Sequence, residues 1–163
     1  MTYLKNLFKK IMQDPTTSQG TKNDLQTMWD SHLRRGEKLQ FQGLFREAIH
    51  EYEKEVERSI KSDIDAEIVE SAFWQMGNAY RQLGEIEQAV AAYEKALKVF
   101  RQYRLGVWPH EDLARLYLEQ NRIDEAIAVC QECLERSNSL GAHKILAQAL
   151  ALKSGGSEPS DSS

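Results

Sequence analysis

The sequence contains few of the residues that interrupt regular structure. Only three prolines and nine glycines occur among its 163 residues. Because proline and glycine are the main breakers of helices, long uninterrupted stretches remain, and such stretches favour helices over short strands. A chain of this length is also long enough to bury a hydrophobic core of its own. The shortage of breakers therefore predicts a helical domain.

Other absences disfavour several functional classes. The formal net charge is −4, so the chain lacks the basic surplus of a general nucleic-acid binder. No stretch approaches the roughly 20 apolar residues of a membrane-spanning helix, and Lys5, Lys9 and Lys10 interrupt the apolar run of a secretory signal. Two cysteines are too few for a disulfide framework, which favours a reducing compartment. The sequence predicts a soluble, cytoplasmic protein.

A helical pattern of large and small residues occupies the middle of the chain. Met76, Tyr80 and Leu83 are spaced by four and three positions, so they form one stripe of a helix. Gly77 removes a side chain from this stripe, which lets a second helix cross closely. Gly84 stands where the helix must end, since glycine is common just past a helix.

A matching stripe follows in the next helix. Ala89 and Ala96 are small enough to admit close contact, and Tyr93 fills the space between them. Together with the preceding helix, these residues resemble the tetratricopeptide-repeat signature. The resemblance implies an all-α fold, a right-handed α-solenoid of antiparallel helix pairs. It also implies a non-enzymatic protein that binds another polypeptide.

The same register occurs on both sides of this central repeat. The upstream copy contains Gly36, Leu39, Gly43, Ala48 and Tyr52, and the downstream copy contains Leu113, Ala114, Tyr117, Asn121, Ala126 and Cys130. Asn121 replaces the turn glycine, and asparagine is the next best residue for a left-handed backbone. Leu146, Ala147 and Leu150 begin the pattern once more, without a second helix behind them. The sequence therefore predicts three helix pairs and a capping helix.

These observations divide the chain into segments. The predicted segments are a basic amphipathic helix (1–13), a linker (14–23), a repeat domain (24–153) and a disordered tail (154–163). Within the repeat domain, the repeats are predicted at 29–62, 70–103 and 107–140, and the cap at 141–153. The repeats are spaced more widely than the family norm of about 34 residues. We expect the first excess to lengthen the helices around 62–65, and the second to lie at Gly106, with Pro109 opening the next helix.

In this family the first helix of each pair lines a concave groove, and its outward positions meet the ligand. Those positions hold Leu33, Glu37, Gln40 and Phe41, then Trp74, Asn78, Arg81 and Gln82, then Trp108, Glu111, Arg115, Leu118 and Glu119. We expect Trp74 to be the main anchor of a peptide or helix, with Phe41 and Trp108 flanking it. We expect the arginines to orient acidic groups of the ligand and the glutamates to favour basic ones. The alternative is that Trp74 packs against a neighbouring helix. A chaperone-type carboxylate clamp is disfavoured, because Leu33, Glu37, Gln75, Trp108 and Asp112 occupy its positions.

The N-terminal segment is basic on one face and apolar on the other. Its apolar stripe includes Leu4, Leu7, Phe8 and Ile11, and its opposite face carries Lys5, Lys9 and Lys10. This pattern is typical of a segment that binds a membrane surface or a partner helix. Two alternatives remain open: the helix covers the apolar edge of the first repeat, or it docks in the groove. Its absence of arginine disfavours a mitochondrial presequence.

The remaining candidates for chemistry favour a structural interpretation. Cys130 and Cys133 lie in the middle of a predicted helix, where free cysteine behaves as a small buried hydrophobe. The alternative is a metal or redox site that uses both, with His110 or His143 approaching them, but a zinc site needs further ligands. We expect no metal, no cofactor and no catalytic residue, and homo-oligomerisation stays open.

Two further expectations concern burial. The predicted core contains Tyr80, Ala89, Tyr93, Ala96, Leu116, Tyr117 and Ala126. The predicted solvated helix face contains Glu51, Glu53, Glu55 and Glu57, with Lys54 and Arg58 as nearby charge partners.

Overall fold

The computed structural model describes residues 31–61, 66–103 and 108–155. Within these ranges the regular structure is entirely α-helical. The helices are α1 (His32–Phe41), α2 (Phe45–Lys61), α3 (Ala66–Gln82), α4 (Ile86–Tyr103), α5 (Trp108–Glu119), α6 (Ile123–Leu134) and α7 (Leu140–Gly155). Pro109 lies in the first turn of α5. Backbone N–H groups in a first turn have no acceptor within the helix, so proline loses no helical hydrogen bond there. The predicted N-terminal helix, its linker, the extension at 62–65 and Gly106 lie outside the described residues.

Each helix packs against the next one along the chain. Helices α1 and α2, α3 and α4, and α5 and α6 form three antiparallel pairs, and α7 packs against both α5 and α6. The first helices of the first two repeats, α1 and α3, also contact each other. This arrangement confirms the predicted all-α solenoid of helix pairs, in which each unit buries its apolar face against its neighbours.

A glycine and a tyrosine make the closest helix crossing in the first two repeats. In the central repeat, a Cβ atom built on Gly77 would lie 2.5 Å from the ring of Tyr93. The ring of Tyr52 lies equally close against Gly36 in the first repeat. Because real Cβ atoms do not approach a ring so closely, only glycine fits at these positions. The predicted role of Gly77 is therefore confirmed.

The turns between the paired helices share a left-handed residue. The φ angles are +79° at Gly43, +74° at Gly84 and 58° at Asn121. Glycine adopts this conformation without strain, and asparagine tolerates it better than most residues. Asn121 therefore takes the place of the turn glycine in the third repeat, as predicted.

The core consists of two hydrophobic clusters, one around α4, α5 and α6 and one between α2, α3 and α4. Six of the seven residues predicted to be buried are buried, but Tyr80 is only half-buried. Its ring packs against both clusters, and burial together with the nearby charges of Glu53 and Glu85 raises the pKa of its hydroxyl group.

The carboxylate of Glu55 is fully buried, so its predicted place on a solvated face is wrong. Its Oε2 accepts a hydrogen bond of 3.0 Å from the backbone N–H of Leu33, and its Oε1 accepts from the guanidinium of Arg58. Burial alone would raise the pKa of Glu55, but these hydrogen bonds hold the pKa below its ordinary value. Glu55 stands in register with Ala96 of the central repeat. The first repeat thus has a buried charge in place of a small apolar side chain.

Helix α7 extends beyond its predicted end. Ser154 and Gly155, assigned to the tail from sequence, belong to the helix, and the Ser154 hydroxyl donates to the carbonyl of Ala151 at 2.9 Å. A serine whose hydroxyl bonds to a carbonyl of the preceding turn can remain helical, and this explains why α7 ends later than predicted. Residues 156–163 lie outside the described part of the chain.

Candidate functional site

The predicted groove residues lie on α1, α3 and α5, and we call this surface the groove face. At its N-terminal end an open pocket of about 410 Å³ lies between α1 and α3. The pocket is lined by Glu37, Gln40, Phe41, Phe45, Gln75 and Gln82. Phe41 is 89% exposed, although phenylalanine normally gains stability from burial. This end of the groove face combines an exposed ring, three amides and one carboxylate.

A buried tyrosine fixes one of the pocket amides. The hydroxyl of Tyr52 donates to Oε1 of Gln40 at 2.9 Å. Because the amide oxygen of Gln40 already accepts this bond, its amide nitrogen faces away from the tyrosine and can donate a hydrogen bond to another group. The carboxylate of Glu37 pairs with Arg34 at 3.1 Å on the surface of α1. The pocket therefore offers amide donors beside a partly exposed acid.

At the centre of the groove face, side chains of α3 bond to α5. The indole Nε1 of Trp74 donates to Asp112 at 2.9 Å, and Arg81 lies 3.5 Å from the same carboxylate. Trp74 is half-buried and packs against the core cluster of α4, α5 and α6. Its neighbour Asn78 accepts a hydrogen bond of 2.7 Å from the hydroxyl of Tyr93. Trp74 thus packs between repeats and stays half-buried.

At the C-terminal end, Glu111 contacts the start of α7. Its carboxylate accepts a hydrogen bond from the hydroxyl of Ser139, and it fills the space where a side chain on Gly141 would lie. The Ser139 oxygen in turn accepts from the backbone N–H of Ala142 at 3.2 Å, as an N-capping residue does. A carboxylate near a helix N-terminus is favoured by the helix dipole. Glu111 therefore holds α7 in place.

The other predicted groove residues vary in exposure. Arg115 and Glu119 are exposed on α5, while Leu118 packs against the core. Leu33 packs against the cluster between α2, α3 and α4. Trp108 is the first residue of α5, and its side chain lies outside what is described. The predicted attachment residues Leu4, Lys5, Leu7, Phe8, Lys9, Lys10 and Ile11 also lie outside the described ranges.

The two cysteines lie inside the protein core. Both are buried in α6, and burial raises the pKa of Cys130 to about 11, so its thiol stays protonated at neutral pH. His110 is buried with its ring edge-on to Phe100, at a centroid distance of 4.5 Å. His143 is exposed and bonds to Asn138 at 3.1 Å. Among the residues that the structure describes, no group of three or more His, Cys, Asp or Glu side chains is arranged to hold a metal.

Sequence reasoning missed the bonds that tie the repeats together. From sequence Asp112 stands only at a clamp position, yet it joins Trp74 and Arg81. Ser139 lies just before a helix, which is a recognisable N-cap signal that the sequence analysis does not use. The partner of Ser139, Glu111, could not be found from spacing, because the contact joins residues of different repeats.

Helices that stack in pairs and expose ligand-accessible side chains along the first helix of each pair define a helical-repeat interaction protein. Two family models of the tetratricopeptide repeat match the chain, one over residues 30–102 and the other over residues 75–142. Together these matches span all three helix pairs. The chain belongs to the tetratricopeptide-repeat family.

The chain is similar to the outer dynein arm-docking complex subunit 4 of Danio rerio, with 24% identity over 147 residues. This match covers 86% of the chain but only 30% of the length of that relative. Among solved structures, TPR-like repeats of a Podosopora anserina protein of the kinesin light chain type match with a TM-score of 0.54 and 16% identity, covering 81% and 77% of the two chains. A TPR-like protein of Chlorobium tepidum matches with a TM-score of 0.50 and 16% identity, covering 77% and 92%. These structural likenesses show the fold.

None of the helices in the described ranges is both long enough and apolar enough to cross a bilayer.

Proposed function

We propose that this chain is a non-enzymatic adaptor that binds a peptide or helix of another protein along its groove face. The observation that carries the proposal is the pocket of about 410 Å³ beside Phe41, whose ring is 89% exposed. Exposed aromatic rings next to a concavity are typical anchors of protein interfaces. The family supports a scaffold role, since tetratricopeptide repeats generally mediate contacts between proteins.

The charges of the groove face indicate a ligand of mixed charge. Among the described residues that line the pocket, Glu37 alone is charged. It pairs with Arg34 at 3.1 Å but stays partly exposed, so a basic group of the ligand fits beside it. Arg115 is exposed on α5 and suits an acidic group. The charge of Arg81 is partly offset by Asp112, 3.5 Å away. We therefore infer a ligand with an apolar residue for Phe41, a basic residue near Glu37 and an acidic residue near Arg115.

The similarity to a docking-complex subunit supports a protein partner, because that relative is named for its place in an assembly. We extend this to the present chain as an assembly adaptor in the cytoplasm. The basic amphipathic pattern of residues 3–12 stays a predicted attachment segment for a membrane surface or a partner helix.

A peptide-display library panned against the full chain provides a ligand with which to test the groove. The affinity of the best peptide is then measured by fluorescence anisotropy. We expect Phe41→Ala to weaken binding at least about tenfold, since loss of an aromatic anchor commonly costs more than 1.4 kcal/mol. Tyr103→Ala removes another exposed ring, on α4 outside the groove face, and serves as the matched control. Equal affinity for Phe41→Ala and the unaltered chain would place the ligand elsewhere and contradict the proposal.

A further inference from the structure

Helix α7 has an apolar outer face that no other helix in the described ranges covers. Its inner side packs against α5 and α6 and buries Ala142, Ile145 and Ala149. Its outer side exposes Leu140 (68%) and Leu150 (48%), together with Ala147 and Ala151. The last helix of a repeat array normally has a polar outer face. The outer face of α7 instead combines these apolar residues with the exposed His143 and Lys144.

This face has the register of the first helix of a repeat. Ala147 of α7 corresponds to Ala114 of α5 and to Gly77 of α3. At Gly77 the missing side chain makes room for the ring of Tyr93, which the second helix of that repeat supplies. Ala114 is likewise buried, whereas Ala147 is exposed. Ala147 is thus exposed on α7, at the position that is buried in the first helix of each described repeat.

The charge of α7 indicates which kind of helix fits. Among the seven described helices, α7 alone contains no acidic residue. Lys144 and His143 are exposed on it, and Lys153 pairs with Asp124 at 2.7 Å. A second copy of α7 would bring Lys144 against a surface that also lacks acids, and the basic N-terminal segment would do the same. Electrostatic complementarity favours a helix with acidic residues instead.

We propose that α7 is a docking site, separate from the groove face, for one acidic amphipathic helix of a partner protein. That helix takes the place of a second repeat helix and completes a fourth pair. It places an aromatic residue over Ala147, small residues one turn to either side, and an acidic residue toward Lys144. The partner is thereby recognised by the same packing that joins Tyr93 to Gly77 within the chain.

The probe for this site is a peptide made from a second helix of the chain itself. Residues 122–135, which include α6, are acidic, and the changes Cys130→Tyr and Cys133→Ala give this peptide the aromatic and small residues of α4. The fluorescein-labelled peptide is titrated against the full chain, with anisotropy as the readout. A second peptide, with Cys130→Ala and Cys133→Ala, lacks the ring and serves as the matched peptide control.

We expect the tyrosine peptide to bind and Ala147→Glu to weaken it at least about tenfold, because a carboxylate cannot be accommodated under the aromatic ring. Ala128→Glu makes the same change at an exposed alanine of α6 and should leave the affinity unchanged. Phe41→Ala in the groove should also leave it unchanged. Lys144→Glu should weaken binding less than Ala147→Glu and reduce its dependence on salt. Circular dichroism should be the same for all variants, since the altered side chains are exposed.

Several results would overturn the proposal. Equal affinity of the unaltered chain and Ala147→Glu, or of the two peptides, would show that the ring does not pack over Ala147. Absence of binding would show that the face does not accept an acidic helix. Binding that occurs only after residues 1–13 are deleted would assign the face to the chain's own N-terminal segment. A dimer in sedimentation velocity that Ala147→Glu dissociates would assign the face to a second copy.

Discussion

The first and the central repeats share one packing contact and differ at one buried position of their second helices. Each has a glycine in its first helix and a tyrosine in its second: Gly36 with Tyr52, and Gly77 with Tyr93. One turn further along the second helix, the central repeat has Ala96 and the first repeat has Glu55, both fully buried. The difference follows from where the first helices begin. Leu33 lies in the first turn of α1, so its N–H has no intrahelical acceptor and Glu55 supplies one. The corresponding residue Trp74 lies well inside α3, which begins at Ala66.

The close helix contacts therefore recur at equivalent positions of the two repeats, whereas the buried polar group depends on where the neighbouring helix begins. A late helix start creates an unpaired donor, and the neighbouring second helix supplies an acceptor for it. The central repeat has no such donor at this point, and a small apolar residue suffices.

The largest expected effect comes from moving the charge between the repeats. Ala96→Glu buries a carboxylate at a position where no helix begins, so no free backbone N–H is there to donate to it. We expect a loss of about 3–5 kcal/mol in the free energy of unfolding. Glu55→Ala leaves the Leu33 N–H and Arg58 without their acceptor and should cost about 1–3 kcal/mol. Urea denaturation followed by circular dichroism measures both. If Ala96→Glu is tolerated as well as Glu55→Ala, the explanation from helix length is wrong.

The next largest effect tests the shared contact. Gly77→Ala and Gly36→Ala each place a methyl group against a tyrosine ring, and overpacking of this kind costs about 1–3 kcal/mol. The cost should be similar in the two repeats. Combining Gly77→Ala with Tyr93→Leu should cost less than the sum of the single changes, because the smaller side chain makes room for the methyl group. Strict additivity in denaturation experiments would show that the ring is not what excludes a side chain at Gly77.

The smallest of these effects contrasts the pH dependence of the two repeats. Hydrogen bonds from Lys54, His32 and Arg35 lower the pKa of Glu51 in the first repeat from 4.5 to about 2, although burial opposes them. In the central repeat, burial and the nearby charge of Glu67 raise the pKa of Glu70 from 4.5 to about 7. The stability from Glu51 is therefore present above pH 4.5 and lost as the pH falls toward 2. The stability from protonated Glu70 is present below pH 4.5 and lost as the pH rises toward 7.

Two amide variants separate these contributions. Glu51→Gln should lower the stability at pH 6 by about 1–2 kcal/mol and have little effect near pH 2. Glu70→Gln should raise the stability at pH 8 by a similar amount, because it removes an ionised buried carboxylate. Thermal melts across pH 2–8 measure both differences. Parallel pH profiles for Glu70→Gln and the unaltered chain would contradict the role of Glu70.

The features that could be predicted from the sequence are those set by residues close together in one repeat. The glycine and tyrosine crossing at Gly77 and the left-handed turn at Asn121 both follow from spacing and backbone conformation. The burial of Glu55 could not be predicted, because it depends on where α1 begins. A row of glutamates on a helix is usually solvated, and only the unpaired N–H of Leu33 distinguishes this one.

The candidate site was predictable in position but not in contacts. The register places Trp74, Glu111 and Phe41 on one face of successive first helices. Trp74 and Glu111 nevertheless bond to residues far along the chain, Asp112 and Ser139, and the approach of different repeats decides these bonds. Phe41 has no such neighbour among the described residues and is exposed. Accessibility to a ligand therefore depends on packing between repeats, which a single sequence does not specify.

The stacking of each helix on the next also bears on how the chain folds. Almost all contacts between helices join elements adjacent along the chain, and the contacts of α1 with α3 and of α5 with α7 skip only one helix. Such a topology has a low contact order, so only short loops need to close before native contacts form. We expect folding within microseconds to milliseconds, as in other helical proteins rich in local contacts. Any one helix pair can nucleate the structure, and the neighbouring pairs then add to it from either side.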